Sequence, residues 1–380
     1  MKYVIVRCED AARFSGQAAA LLEGARLSFL QHLAQAGAVG LLRPASPQTT
    51  LSRFDLLRGL FGLQAGDPEA APARWYAAGL NVKLAPGETA WCCDLVTQHN
   101  QQIIDPTAGR IPTKESEVLI QELNERLGSD TQRWEVGEGS HHLLIVGDAS
   151  LGSDGEWRGD LPDLLVGQAW RQHLPKGALG KCLRALIEQS AEVLEGHAIN
   201  RVRVDLGENP ANLPWTWSPA EERSHATFKE RTGLSGAVVS SSFPLRGFAR
   251  TLGVTWKEAS ASFQETALHR LSQSVVQLAE QHDMVYVHLR VESADPVERL
   301  CAMERIDQVL LKPMTDALAP RDSWRLLVVV DDRTRGGATP FVAVGHELPR
   351  QPVAHLSAEA IAESPLGFDD SAKLFQWLTA

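Results

Sequence analysis

The chain has 380 residues, enough to bury a sizeable core in one large domain with an insertion or in two domains. Its 44% hydrophobic and 22% charged residues are ordinary for a globular protein and exclude a disordered or fibrous chain. A formal net charge of -10, with no basic cluster, excludes a general nucleic-acid or acidic-membrane binder, because phosphate groups attract cations.

In chain order, "KYVIV" (2–6) predicts a buried strand that ends at Cys8, Glu9 and Asp10. The start "MKYVIVRCED" lacks a cleavage site and a long apolar core, and no run reaches membrane-spanning length, so a soluble cytoplasmic protein is expected. Helical periodicity runs from Gln17 to Gln35 and stops at Gly37, the residue type favoured beyond a helix end. "SRFDLLRGLFGL" predicts a second helix, with Ser52 and Asp55 spaced as a capping box. From about Leu84 to Gly180, short strands such as "TAWCCDLVTQ" and "HHLLIVGD" surround the amphipathic helix "KESEVLIQELNERL". That mixture predicts a small α+β insertion.

Alternation of helices and strands then resumes. "ALGKCLRALIEQSAEVLEGH" and "ETALHRLSQSVVQLAEQH" are helical, "GAVVSSS" and "DMVYVHLRV" are strands, and "RLCAMERIDQVLLKPMTDAL" is another helix. "LLVVVDDRTRGG" (326–337) is a buried strand that runs into two aspartates, an arginine and a glycine-rich turn. Acids at the carboxyl end of a parallel strand stand where open α/β sheets place their sites. The five cysteines are odd in number, contain no CxxC spacing, and are expected to be small buried hydrophobes rather than disulfide or zinc ligands.

Four blocks carry a resemblance. "GHAINRVRVDLGENPANLPWTWSP" (196–219) resembles a signature of the cofactor-independent phosphoglycerate mutases of the archaeal type. "DLVTQHNQQIIDPTAGRIPTKESEVLIQELNERL", "FKERTGLSGAVVSSSFPLRGFARTLG" and the "DMVYVHL…AMERID" region are similar to further blocks of that family, in the same order. The resemblance implies the alkaline-phosphatase-superfamily α/β fold, a mostly parallel sheet sandwiched by helices. Residues 1–83 and 181–380 would form its core, and 84–180 an inserted α+β lid. It also implies two divalent metals held by aspartates and histidines around a transiently phosphorylated serine, a clamp that neutralises attacking and leaving oxygens.

Against that pattern the chain departs in places. Glu9 stands about where the family's first-strand aspartate is expected, and Ser52 is nearest to the nucleophile but is followed by Arg53. Ser52 is read first as a helix cap, which needs no chemistry. The loop with Glu292 and Asp295 lacks the family's histidine beyond His288. At the last block Asp331 or Asp332 survives, Arg333 takes a histidine's place, and His346 matches the final histidine ligand. The substrate-contact positions Asp105 and Arg203 remain, with Arg270 as a stand-in for a lysine.

The expectation is therefore a mutase-like chain that has lost metal-dependent phosphomutase activity and acts as a binding or assembly protein. Ser52 is then vestigial, and Arg333 folds between the carboxylates. Glu9, Asp331, Asp332 and His346 are left as a poor ligand set for one divalent ion (manganese, zinc or magnesium), with no cofactor as the leading expectation. Two alternatives stand beside it: an active metal-dependent phosphomutase or phosphatase on a small phosphorylated acid, and a metal-independent enzyme in the same cleft. The expected partner is a protein or a small phosphorylated acid, neither nucleic acid nor membrane.

Overall fold

An apolar run with two charged residues near its end, Arg7 and Glu9, opens the chain, and its neighbours explain its form. In a computed structural model the described residues are 1–9, 11, 22, 25–43, 52–64, 66–147, 159–291, 293, 295–321, 323–331 and 338–380. In chain order the elements are β1 (Lys2–Glu9), α1 (Ser28–Ala36), β2 (Ala38–Leu42), α2 (Arg53–Gly59) and α3 (Pro72–Leu80). Then come β3 (Glu88–His99), β4 (Gln102–Asp105), α4 (Thr113–Leu127), β5 (Gln132–Glu138), β6 (His141–Gly147), α5 (Gly177–Glu195), α6 (Ala198–Asp205) and β7 (Leu213–Glu221). They are followed by α7 (Phe228–Thr232), β8 (Gly236–Ser240), α8 (Phe243–Leu252), β9 (Thr255–Glu258), α9 (Glu265–Gln281), β10 (Met284–Arg290) and α10 (Pro296–Arg305). A π-helical turn (Ile306–Leu311) leads into α11 (Lys312–Leu318), and β11 (Trp324–Val330), β12 (Thr339–Gly345), α12 (Ala358–Ala362), β13 (Gly367–Phe368) and α13 (Ser371–Thr379) complete the chain.

Two compact units result, one of residues 1–67 with 226–380 and one of residues 68–225. The first holds an eight-stranded sheet in the order β13-β2-β12-β11-β1-β10-β8-β9. β1 lies between β10 and β11 and is parallel to both, while β12 is antiparallel to β11 and to β2. Val4, Val6 and Cys8 join one apolar core with Val285, Val287, Leu326 and Val328. The alternation of a strand then places Tyr3, Ile5, Arg7 and Glu9 on the opposite face. The three strands expected to share a sheet do so, and Glu9 and Asp331 leave it at the same, carboxyl, edge.

The helix expected over 17–35 is described only from Ser28, where the Asp307 carboxylate accepts from the Phe29 and Leu30 N–H groups at 3.0 and 2.7 Å. Gly37 ends this helix with φ −116°, so no left-handed turn demands it. Space does: a Cβ there would lie 2.1 Å from the Ala343 carbonyl oxygen of β12. No described helix is long and apolar enough to cross a membrane. Cys8, Cys92 and Cys93 are buried as expected, but Cys182 and Cys301 are exposed, on the outer faces of α5 and α10.

The second unit is an antiparallel sheet in the order β4-β3-β6-β5, with β7 paired along β3. Its limits are wider than the expected 84–180. β7, in the proline- and tryptophan-rich "LPWTWSPAE", bonds to β3 from Thr89 to Val96, and α3 packs on β3, β6 and β7. Both flanks are thereby tied to this sheet rather than to the other.

Candidate active site

Parallel strands bring their carboxyl ends to one edge, and four side chains converge there in the first unit. Arg7 and Glu9 stand two residues apart on the same face of β1. The Asp331 N–H donates to the Cys8 carbonyl at 3.0 Å, which extends the pairing of β11 with β1 and fixes the aspartate beside them. Arg7 is 1% exposed, Asp331 2% and Glu9 3%, so these charges are settled with one another rather than by water.

The Arg7 guanidinium is the hub. Its Nη2 donates to Asp331 Oδ2 at 2.6 Å and its Nε to the same oxygen at 3.2 Å. Nη2 also lies 3.2 Å from Glu9 Oε2, and Nη1 donates to the Arg53 carbonyl at 2.8 Å. Burial works to strip the Arg7 charge, but Asp331, then Tyr286 and Glu9, hold its pKa well above the usual guanidinium value. The neighbouring Cys8 thiol is pushed up to about 12, by burial first and by Asp331 second, so it is not a nucleophile.

His288 of β10 completes the group. Its Nε2 lies 2.9 Å from Glu9 Oε2 and its Nδ1 2.9 Å from the Ser240 hydroxyl at the end of β8. An ionised Glu9 only accepts, so Nε2 carries a proton, and Nδ1 shares a hydrogen bond with the Ser240 hydroxyl. The Ser242 N–H in turn donates to Ser240 Oγ at 3.0 Å. Arg290 places its Nε 3.6 Å from Glu9 Oε1.

Ser52 caps α2: its Oγ accepts from the Asp55 N–H at 3.0 Å, and Asp55 returns a bond to the Ser52 N–H. The Arg7 bond to the next carbonyl, that of Arg53, ties this helix start to the carboxylate group. Ser52 is thus both a cap and a hydroxyl at the edge.

Other expected site residues fall elsewhere. Asp332, Arg333, Asp10 and Glu292 lie outside the described residues. His346 is corrected: its N–H donates to the Trp324 carbonyl, at the amino end of β11. Because β12 runs antiparallel, it carries His346 to the end of the sheet opposite Asp331, roughly 20 Å away along the strand. Arg270 is exposed on α9. In the second unit Asp105 accepts from Thr107, Gly109 and Asn209, while Arg203 binds Glu115, the Ala108 carbonyl and the Asn209 carbonyl. Asn209 thus bridges the two, and both order the 105–110 turn.

Arg7, His288 and Ser240 were missed from sequence. The signal for Arg7 was a charge inside an apolar strand, in phase with Glu9. For His288 and Ser240 only strand-end position pointed to the edge.

Divalent-metal chemistry is what the resemblance implies here, and the donors can be tested against it. Glu9 and Asp331 share one guanidinium, both nitrogens of His288 are engaged, and no group of three or more His, Cys, Asp or Glu able to hold a metal occurs among the described residues. The described donor set does not fit a two-metal centre.

A mostly parallel sheet flanked by helices, with acids at its carboxyl edge, defines a protein of the alkaline-phosphatase-like α/β class. The family model described as 2,3-bisphosphoglycerate-independent phosphoglycerate mutase matches residues 34–200. A protein of that name from Methanosarcina acetivorans is 29% identical over 325 residues, covering 83% of this chain and 80% of the relative. A probable one from Geobacter sulfurreducens is 27% identical over 388 residues, covering 94% and 93%. Among solved structures, the cofactor-independent phosphoglycerate mutase of Thermoplasma acidophilum superposes with a TM-score of 0.58 at 21% identity, covering 100% of this chain and 99% of that one. A Pyrococcus horikoshii protein reaches 0.69 at 16% identity, covering 100% and 96%. The chain is thus similar, over four fifths or more of its length, to proteins named as 2,3-bisphosphoglycerate-independent phosphoglycerate mutases.

These relatives overturn the expectation of a chain that has lost its activity and serves as a binding or assembly protein. They are named as mutases, and the similarity runs through four fifths or more of this chain. Departures at single motif residues were weighed too heavily against that continuous match.

Proposed function

We propose that the chain is an active isomerase of the phosphoglycerate mutase type, moving a phosphoryl group between oxygens of a small phosphorylated acid. The similarity to the Methanosarcina acetivorans mutase, 29% over 325 residues, is the observation that supports this most directly. Ser52 is the hydroxyl that takes the phosphoryl group. Its bond from the Asp55 N–H fixes Oγ and leaves the hydroxyl proton to be given up. Attack forms the Oγ–P bond as the substrate's P–O ester bond breaks, and the Ser52 proton passes to the freed substrate oxygen. Return of the group to a different hydroxyl restores the serine. Arg7 holds the start of α2 against Asp331 and Glu9, so the nucleophile stays in register with the edge.

The test is interconversion of 3- and 2-phosphoglycerate by the purified chain, with chelator and with added manganese. Turnover is expected. Ser52→Asn, which keeps a capping oxygen, should fold normally and lose turnover. Absence of turnover in every condition, or full turnover by Ser52→Asn, overturns the proposal.

A further inference from the structure

The geometry of the sheet edge points to Arg7 as its resident cation: we infer that the Glu9–Asp331 pair is neutralised by this guanidinium and does not take a divalent ion, so the site works in the presence of chelator. The turnover arm of this inference rests on the mutase reading above; the metal-binding arm does not.

Three observations carry it. Arg7 springs from an inner strand of the sheet, two residues before Glu9 and on the same face, and its buried guanidinium is held by Asp331, Glu9 and the Arg53 carbonyl. Its guanidinium meets Asp331 at 2.6 Å and Glu9 at 3.2 Å, spanning the space in which a bridging ion would bind both carboxylates. A dication placed there would face a permanent positive charge in a water-poor setting, where like charges repel strongly. The third donor, His288, has both ring nitrogens engaged, Nδ1 with the Ser240 hydroxyl and Nε2 with Glu9, each at 2.9 Å.

Charge balance points the same way. Glu9 and Asp331 contribute two negative charges, and Arg7 with Arg290, whose Nε stands 3.6 Å from Glu9, contributes two positive ones. A metal would add two more positive charges to described carboxylates that already share these two guanidinium cations. Where carboxylates converge without a cation they repel and one takes up a proton. Here the cation is part of the chain.

The experiment uses the full chain dialysed against EDTA, with thermal melts in the presence and absence of manganese. The wild type should show no manganese-dependent rise that Glu9→Gln or Asp331→Asn removes. Arg7→Met leaves the two carboxylates facing each other and should gain such a rise, by several degrees, lost again in Arg7→Met with Glu9→Gln. A wild-type rise that Glu9→Gln or Asp331→Asn abolishes overturns the inference. Should Arg7→Met fail to fold, the wild-type and carboxylate-variant melts decide alone, and Arg7→Lys, which keeps a cation, should match the wild type in ignoring manganese. In the turnover arm, activity should survive EDTA; activity lost to EDTA and restored by manganese overturns the inference. No turnover in any condition sinks the mutase reading instead, and the melts still judge Arg7.

Discussion

Ser240 and Glu9 grip opposite nitrogens of one buried imidazole, each 2.9 Å from the ring of His288. The chain supplies these three groups from β8, β1 and β10, so the ring locks three neighbouring strand ends together. His288→Phe keeps an aromatic ring and removes both bonds. It should cost about 2–4 kcal/mol in urea unfolding, since a hydroxyl and a carboxylate each lose a buried partner. A loss under about 1 kcal/mol would show that the network contributes little.

His142 predicts a pH dependence in the second unit. Its pKa is pushed down to about 3, by burial first and by the neighbouring His141 second. Its Nδ1 accepts from the Gly137 N–H at 3.0 Å, and Nε2 has no hydrogen-bond partner among the described residues. The folded state resists a proton that the unfolded chain takes up near pH 6.5. Stability is therefore full above the unfolded value and is lost as pH falls below it, by about 2 kcal/mol between pH 7 and 5. His142→Asn should flatten this slope in urea titrations at the two pH values. An unchanged slope would mean that the ring is protonated without penalty.

Gly59 sets how closely α2, the helix that Ser52 caps, can dock. A Cβ there would lie 1.8 Å from Ser371 Oγ and 2.5 Å from the Ala372 nitrogen of α13. Gly59→Ala should push α2 away and destabilise the fold by about 1–3 kcal/mol, despite the better helix propensity of alanine. If thermal melting of Gly59→Ala matched or exceeded the wild type, the two helices would be shown to separate freely.

Asp105 predicts acid sensitivity. Burial pushes its pKa up, but bonds from Thr107, Asn209 and Gly109 outweigh that and hold it below the usual carboxylate range. Its stabilisation is present above the unfolded value, about 3.9, and disappears as pH falls through the lower folded value. Asp105→Asn should weaken the turn at neutral pH and shrink the stability lost on acidification. Equal acid loss in both proteins, measured by denaturant titration at pH 5 and 3, would exclude this role.

The sheet and its functional edge were legible because apolar runs ending in acids survive any change of motif, as "KYVIVRCE" and "LLVVVD" show. Glu9 and Asp331 followed from that logic. Strand direction is not written in a five-residue apolar run, so His346 could not be seen to leave at the wrong end of β12. Arg7 was hidden by the habit of reading a strand by its apolar members. Its partners lie at the far end of the chain, and local spacing carries no trace of them. Asp105 and Arg203 were visible as residues, but their mutual bridging through Asn209 depends on a turn that only the folded chain forms. The limits of the second unit were obscured because "LPWTWSPAE" has two prolines and little strand pattern, yet pairs along β3.

The placement of β1 at the centre of its sheet has a consequence for how the chain is made. Arg7 is 324 residues from Asp331 and Glu9 is 279 from His288, so the earliest strand waits for partners translated much later. At ribosomal speeds of about 5–20 residues per second, that wait is roughly 15–60 s. Through it a sticky apolar strand with a buried arginine has nothing to pair with, while the second unit has its whole sheet within one unbroken stretch, 68–225. The nascent chain should therefore depend on chaperones that shield "KYVIVRCE" until β10 and β11 emerge, and its yield should fall more steeply than that of the finished protein's stability when such shielding is limiting.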